Sequence, residues 1–504
     1  MDARIAEQGA RIAEQDARIV EQDARIVEQD PRIAEQDARI AEQDARIAEL
    51  TALVAALEKK VAEHVLRLGC NSSNSNLPPS SDSPAERAKK NAQKQAAQDG
   101  KRKRGGQPKH RGTRRELLPA DKVDDVVDFF PSHCEHCAAS LPETQDEQPL
   151  RFQLTELPAF EPHTTEYRRH TVTCPRCSRA TTAPHDASRI PASPFGPRLM
   201  SVVGLLTGVY HVSRRKAVHL LSDLVGVKIS LGAVSAVEKR VSDAVKRPVQ
   251  EAFQRVVMGD VKHTDGTTWY QSGVALSLWV IATTFATVYK ILANGQKETL
   301  KSLFGKSQRG VLVSDRATAL NFWAMERRQI CWAHLLRKFI SFSERDGPGG
   351  KLGRELLGYT GIIFDYWHQY RDGTLNRETF LAWMTPVRQQ FEALLERAVK
   401  SGAEHVAGSC EDMLAHRAAL WTFVDERDVE PTNNHAEREL RAFVLWRKRC
   451  YGSQSERGNH FAERLMTVAH TARKQDKNVL EFLTECCVAH VDGGQPPSLF
   501  ARAA

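Results

Sequence analysis

"RVVMGDVKHTDGTTWY", residues 255–270, carries the reading of the fold. Apolar and polar residues alternate into Asp265, which predicts a strand ending at that acid. The next stretch, "VALSLWVIATTFATVYKIL" (274–292), is the most apolar run in the chain. Its length suits a membrane span. Its threonines, its lysine and its β-branched and aromatic residues favour two buried strands instead. "GQKETLKSLFG" then reads as a helix, and "GVLVSDRATAL" as a buried strand ending in Asp315 with a helix behind it. "RRQICWAHLLRKFISF" supplies a short strand followed by a helix.

Three strands, helix, strand, helix, strand is the order of a ribonuclease-H-like α/β fold. Such a fold sets the first and fourth strands side by side, so carboxylates at Asp265 and Asp315 could serve the same ions. A helical segment follows at about 345–425. A further helix, "EPTNNHAERELRAFVLWRKRC" (430–450), carries Glu437 among Arg438, Arg441, Arg447, Lys448 and Arg449. Either these charges form a surface ion-pair network, or Glu437 is a metal-binding carboxylate surrounded by DNA-binding side chains. Three carboxylates suit two Mg²⁺ ions roughly 4 Å apart, which activate a nucleophile and stabilise a leaving oxygen. Taken singly, an Asp at a strand end more often caps a turn and a helical Glu more often faces solvent. The strand order and the cationic surroundings give the three together their weight.

The rest of the chain points the same way. It has 504 residues and a formal charge of +8, enough for several cores. Residues 81–120 hold twelve Lys or Arg against four Asp or Glu, so that segment accounts for the whole excess. The block includes Lys101, Arg102, Lys103 and Arg104 and suits contact with a polyanion such as DNA. The alternative is a solvated linker. The N-terminus reads without a secretory signal, because acids begin at residue 2 and no apolar run follows. Ten cysteines without such a signal suggest a reducing compartment. Four of them form "CEHC" (Cys134, Cys137) and "CPRC" (Cys174, Cys177), each able to give two thiolates to one Zn²⁺. Strands in "LRFQLTEL" and "TTEYRRHTVTC" are expected to join the two knuckles.

Before all this, "DARIAEQ" and its variants repeat every seven residues, with Ile at 5, 12, 19, 26, 33, 40 and 47. Period seven predicts a weak, oligomerising coiled coil. Its seam is either the Ile row or a stripe of Ala3, Ala6, Ala10 and Ala13, and Pro31 is expected to break or kink it. The alternative is a low-complexity expansion with no partner. The expected organisation is a coiled coil over 1–66, a basic linker over 67–118 and a zinc-ribbon-like module over 119–188. A helical region over 189–250 contains a candidate helix-turn-helix, with an ordinary helical hairpin as the alternative. A catalytic domain over 251–485 and a tail over 486–504 complete the chain.

Several motifs in order resemble the DDE transposases of the bacterial insertion-sequence group IS sixty-six. They are "NSSNSNLPPSSD", "KRGGQPKHRG", "LTELPAF", "EYRRHTVTCPRC", "HTDGTTW", "LVSDRATA", "CWAHLLRKF" and "PTNNHAERELRAFVLWRKRCYGSQSERG". The resemblance implies an enzyme that binds the inverted ends of its element, cuts the 3′ strands and joins them to target DNA. It maps the triad onto Asp265, Asp315 and Glu437, with Mg²⁺ or Mn²⁺ as cofactor, and Zn²⁺ is expected at the cysteine pairs. It implies double-stranded DNA as partner, at least a dimer, small accessory proteins of the same element, no membrane, and a bacterial cytoplasmic, nucleoid-associated setting. Gly266 stands where many relatives have Glu, and Thr432 where many have Asp.

Asn433 or Asn434 is expected to cap the last helix. Arg438 and Arg441 would meet phosphate oxygens near the ions, with Arg447, Lys448 and Arg449 on the DNA backbone. Pairing of these cations with Glu437 and Glu439 is the alternative. Cys331 and His334 form a C-x-x-H pair, half a metal site, for which a structural role and an active-site role are both open. Two other functions compete with the enzyme: a DNA-binding protein with an inactive catalytic domain, and a coiled-coil scaffold that would leave the C-x-x-C pairs unexplained.

Overall fold

The computed structural model describes residues 2–68, 82, 86–92, 116–186, 188–305 and 308–500. The basic cluster Lys101, Arg102, Lys103 and Arg104 lies outside them.

Helix α1 spans Asp2–Leu68 without interruption. The break expected at Pro31 is absent: a proline costs one hydrogen bond, and the Ala, Glu, Gln and Arg on both sides are strong helix formers. Ile12, Ile19, Ile40 and Ile47 stand exposed along it.

In 116–186 the two C-x-x-C turns have the same construction. The Cys134 amide donates to Ala139 O and the Cys174 amide to Arg179 O, both at 2.9 Å. Ala138 and Ser178 close the turns with positive φ. Strands β1 (Thr171–Thr173) and β2 (Ala180–Thr182) flank the second turn as a hairpin. "LRFQLTEL" forms no strand, contrary to expectation. Leu150, Phe152 and Leu154 are exposed, so its alternation has no core to serve.

From residue 197 a bundle leads into a sheet. Helices α2 (Pro197–Gly204), α3 (Arg214–Val225), α4 (Leu231–Ala244) and α5 (Lys246–Met258) come first. Helices α3 and α4 are joined through Gly226, whose φ of 66° ends α3 in the left-handed region. Val234, Val237 and Val241 of α4 are fully buried. The second helix of the candidate helix-turn-helix is therefore wedged into the bundle, and the exposed cations Arg215 and Lys216 lie on the first.

Strands β3 (Val261–Gln271), β4 (Val274–Ala282) and β5 (Thr287–Leu292) form an antiparallel meander, so the apolar run at 274–292 is a strand pair. Ser272 and Gly273 both take positive φ at the β3–β4 turn, as a two-residue hairpin loop requires. Helix α6 (Lys297–Phe304), β6 (Val311–Ser314) and β7 (Arg328–Ile330) follow. The sheet order is β5-β4-β3-β6-β7, with β6 parallel to β3 and β7 parallel to β6. The first and fourth strands are thus neighbours in a mixed α/β sheet. Between β6 and β7 the expected helix is replaced by two short 3₁₀ turns, Thr318–Leu320 and Met325–Arg327.

Helices α7 (Trp332–Ser343), α8 (Gly347–Arg371), α9 (Arg377–Lys400), α10 (Ala407–Ala415), α11 (Arg417–Leu420) and α12 (Thr422–Asp425) share a core with β6 and β7. Phe339, Trp332, Phe391 and Trp421 fill its centre. Helices α13 (Asn434–Cys450), α14 (Glu456–Lys474) and α15 (Val479–Val491) complete the chain. One face of β3 and β4 packs Trp269, Leu278 and Val280 against Leu440 and Phe443 of α13. The other face packs Trp279 and Ile281 against the bundle.

Helix α14 closes the β5 edge. The amides of Thr287 and Tyr289 donate to Thr471 Oγ1 (3.1 Å) and Thr467 Oγ1 (3.2 Å), and that of Ile291 donates to Glu463. These acceptors recur every four residues on one helix face, so the strand edge is covered rather than left free. The segment from 486 onward is not a tail. Cys486 and Cys487 sit in the core on α15, and Leu499 and Phe500 are buried beyond it, because α15 packs against α2 and α4.

Candidate active site

Asp265 does not end its strand. It sits in the middle of β3, which continues through "GTTWYQ" to pair with β4. The parallel register pairs His263 with Val313. Carried two residues further, it sets Asp265 level with Asp315, just past the end of β6. The Gly266 amide donates to Asp265 Oδ1 at 2.8 Å, and the Ala317 amide to Asp315 Oδ1 at 3.0 Å. Gly266 has a local reason. A Cβ there would meet the Trp279 ring at 2.8 Å on the paired strand, so a larger residue would have to displace that ring.

The loop holding Asp315 is braced from β7. Arg328 is fully buried, and its guanidinium donates to Asn321 Oδ1 (2.7 Å), Asp315 O (2.8 Å) and Ser314 Oγ (3.2 Å). The Cys331 amide donates to Ser314 O at 2.8 Å.

Glu437 reaches the site from the first turn of α13. Asn433 holds that turn, but not as a cap: its side chain makes no capping bond. It is fully buried, donates through Nδ2 to Thr264 O at 2.8 Å, and meets His263 Nδ1 through Oδ1 at 3.3 Å. The helix is thereby keyed to β3 one residue from Asp265. Asn434 is exposed. The starts of α7 and α13 also meet. Trp332 N donates to Pro431 O at 2.9 Å, and Asn433 N to Cys331 Sγ at 3.1 Å.

Burial first, then the charges of Asp315 and Glu437, push the Asp265 carboxyl up to about 7. Three acids that strain one another in a shielded cleft suit a cation more than a fold. The neighbours of Glu437 lie on α7: His334 Nδ1 at 3.6 Å and Arg337 Nη2 at 3.7 Å. Burial holds the His334 imidazole below its usual value, against the pull of Glu437. Arg337 escaped the sequence reading, although Cys331, His334 and Arg337 recur every third residue and so follow one helix side.

The cations on α13 divide. Arg438, Arg441, Lys448 and Arg449 are exposed, and among the described residues neither Arg438 nor Arg441 pairs with Glu437 or Glu439. Arg447 instead turns inward, donating to Thr267 Oγ1 at 3.0 Å and to Thr268 O. Glu439 has its own partners, His470, Lys474 (3.1 Å) and His435 (3.8 Å).

The four knuckle cysteines stay in their two turns, and they do not join as one group of ligand atoms within 4.8 Å. Each turn suits a metal by itself. The amides of His136 and Cys137 lower the Cys134 thiol, and those of Cys177 and Arg176 lower Cys174. Amides aimed at a thiol favour the thiolate that a metal needs.

No helix among the described residues is long and apolar enough to cross a membrane. The family model described as Transposase IS66 family matches residues 192–461, more than half of the chain and inclusive of all three acids. A second, described as a family of unknown function (DUF6444), matches residues 28–116. No curated protein matches the chain.

Proposed function

The chain belongs to the IS66 transposase family, and from that premise we propose that it binds the terminal inverted repeats of its insertion sequence and carries out metal-dependent strand cleavage and strand transfer. Asp265, Asp315 and Glu437 are the catalytic carboxylates, on a ribonuclease-H-like core. The observation that carries the reading is the parallel register that sets Asp265 on β3 level with Asp315 past β6, where burial first and then the charges of Asp315 and Glu437 push the Asp265 carboxyl up to about 7. Mg²⁺ or Mn²⁺ suits this all-oxygen set and, when bound, supplies activation of a water or 3′-hydroxyl and stabilisation of the leaving oxygen.

The chain's own residues do the rest. Asp265 releases its proton as a cation enters. Asn433 and Arg447 fix α13 against β3, so that Glu437 arrives at a set depth. Exposed Arg438 and Arg441 meet phosphates near the scissile bond, and Lys448, Arg449 and the basic cluster at 101–104 follow the DNA backbone. Cys134, Cys137, Cys174 and Cys177 hold Zn²⁺. The exposed Ile row of α1 pairs chains, giving at least the dimer that joining two DNA ends requires. Small accessory proteins of the same element and a place on the nucleoid of a bacterial cytoplasm complete the reading.

The test is strand cleavage of a labelled duplex bearing the element's own terminal repeat, comparing wild type with Glu437→Gln in Mg²⁺ and in EDTA. Glutamine keeps the side chain's size and removes its charge. Cleavage by wild type alone, and in Mg²⁺ alone, supports the enzyme. Equal cutting by both proteins removes Glu437 from the triad. Binding by both with cutting by neither favours an inactive DNA-binding derivative.

A further inference from the structure

Among the described residues, one group of three metal-ligating side chains converges: Cys331, His334 and Glu437, whose Sγ, ring nitrogen and carboxylate oxygen all lie within 4.8 Å of one another. Asp265, Asp315 and Glu437 do not converge that closely. Glu437 therefore rests on the α7 side of the cleft, beside His334 and Arg337.

Two of the three ligand atoms have unused bonding capacity. His334 Nδ1 and Glu437 Oε1 are buried and have no hydrogen-bond partner. They lie 3.6 Å apart, beyond the usual limit of about 3.2 Å for an N–H···O bond. Two ligands on one tetrahedral zinc, each roughly 2.1 Å from the ion, stand about 3.4 Å apart. The gap is too wide for the hydrogen bond and close to the edge of a zinc tetrahedron. The third atom is prepared for it. Cys331 is the residue before α7 and His334 lies one turn on, so both side chains leave the same side of the helix start. The Asn433 amide already donates to the sulfur at 3.1 Å, a contact that would orient a thiolate.

We propose that Cys331, His334 and Glu437 form a binding site for a borderline-soft divalent cation of the zinc class, one that shares Glu437 with the all-oxygen set but takes its other two ligands from the start of α7. Sulfur and imidazole select such an ion over Mg²⁺, which prefers oxygen alone. Binding exchanges the thiol proton for the metal: the S–H bond breaks, an S–metal bond forms, and the proton leaves to solvent. A thiolate and a carboxylate then balance the two positive charges. Three protein ligands leave a fourth position open to water, and the 30% exposure of the Glu437 side chain provides an entry path. Resting on the reading of Glu437 as the third catalytic acid, the site also holds that acid away from Asp265 and Asp315.

The experiment is a Co²⁺ titration of metal-stripped, full-length protein, read by bound Co²⁺ per chain and by the thiolate-to-cobalt charge-transfer absorbance. Cys331→Ser should bind one Co²⁺ fewer than wild type and lose part of that absorbance, while the knuckle cysteines contribute equally to both. Glu437→Gln, at a partly exposed position, should bind one fewer and covers the case in which loss of the buried Cys331 disturbs folding. Asp265→Asn should keep the full thiolate-to-cobalt absorbance. Identical counts and spectra in wild type, Cys331→Ser and Glu437→Gln overturn the proposal. Cleavage is a separate readout: an intact cobalt signal without Mg²⁺-dependent cleavage counts against the catalytic reading, and intact cleavage without the signal counts against this site.

Discussion

Asp265→Asn should abolish cleavage and yet stabilise the metal-free protein. Burial, then Asp315 and Glu437, carry the Asp265 carboxyl from 3.8 to about 7. The folded chain therefore holds this proton more tightly than the unfolded chain does. Its contribution is complete below about 3.8 and is lost as pH rises through about 7, so the penalty is fully present at pH 8. About 3.2 pH units at roughly 1.36 kcal/mol each set a ceiling near 4 kcal/mol, and solvent penetration into the cleft reduces that to an expected 1–3 kcal/mol. Asparagine is isosteric, keeps the acceptor for the Gly266 amide at 2.8 Å, and carries no charge. At roughly 2–4 °C per kcal/mol for a domain of a few hundred residues, the melting midpoint in EDTA at pH 8 should rise by about 2–12 °C. The rise should vanish near pH 4, where both proteins are neutral at this position. Mg²⁺ should raise the wild-type midpoint and leave that of the variant little changed. Scanning calorimetry at the two pH values, with and without Mg²⁺, measures all of this. An Asp265→Asn midpoint equal to or below that of wild type at pH 8 in EDTA refutes the electrostatic argument for a shared cation site.

Three further outcomes follow from other contacts. Asn433→Ala leaves Thr264 O and His263 Nδ1 buried without their partner. At roughly 1–3 kcal/mol for each of the two abandoned groups, urea unfolding of the catalytic region should show a loss of about 2–6 kcal/mol, and a loss under about 0.5 kcal/mol would discard the keying role of Asn433. Gly266→Ala drives a methyl into the Trp279 ring, an overpacking cost of about 1–3 kcal/mol. A Trp279→Val background should recover much of it, and strictly additive unfolding energies in the double variant would contradict the contact. On acidification, burial keeps His263 and His435 at about 4, so the unfolded chain takes up protons first and stability falls between about 6.5 and 4. At Glu439 burial opposes ionisation, but the bond and charge of His470 and the charge of Lys474 prevail and carry it to about 2. Its contribution is present above about 4.5 and is lost as pH falls through 2. His435→Gln should make the drop between 6.5 and 4 shallower in a pH series of thermal melts, and an unchanged slope would assign that drop elsewhere.

Local pattern made the sheet legible. The β-branched and aromatic run at 274–292 could only be a strand pair once its polar residues ruled out a membrane span, and the order of elements implied that β3 and β6 are neighbours. Contacts between distant residues were not legible. Asp265 read as a strand end, whereas β3 continues past it and Gly266 is where Trp279 of the paired strand lies across β3. Asn433 has the composition and position of a helix cap, yet its side chain is spent on His263 and Thr264, about 170 residues earlier. Arg447 looked like a DNA contact by its neighbours in sequence and is held by β3. The side chain that the C-x-x-H pair meets is Glu437, on a different helix. None of these pairings leaves a periodicity in either partner's own segment, so no reading of one segment could find them.

The two acids of α13 explain why a helix so rich in cations carries Glu437. Glu437 and Glu439 are two residues apart and face different elements, one toward α7 and the other toward α14. Glu439 is the structural acid: its side chain is 14% exposed, and His470, Lys474 and His435 all lie within ion-pair reach. It ties α13 to the helix that closes the β5 edge, and its charge is fully compensated. Glu437 has only distant neighbours, at 3.6 and 3.7 Å, and one oxygen with no hydrogen bond. A buried acceptor left unpaired costs about 1–3 kcal/mol, so Glu437 draws less support from its surroundings than Glu439 does. The exposed arginines of the same helix do not relieve it. They point to solvent, and among the described residues none of them pairs with Glu437. Separation of the charges, rather than their number, distinguishes this helix from a surface ion-pair network.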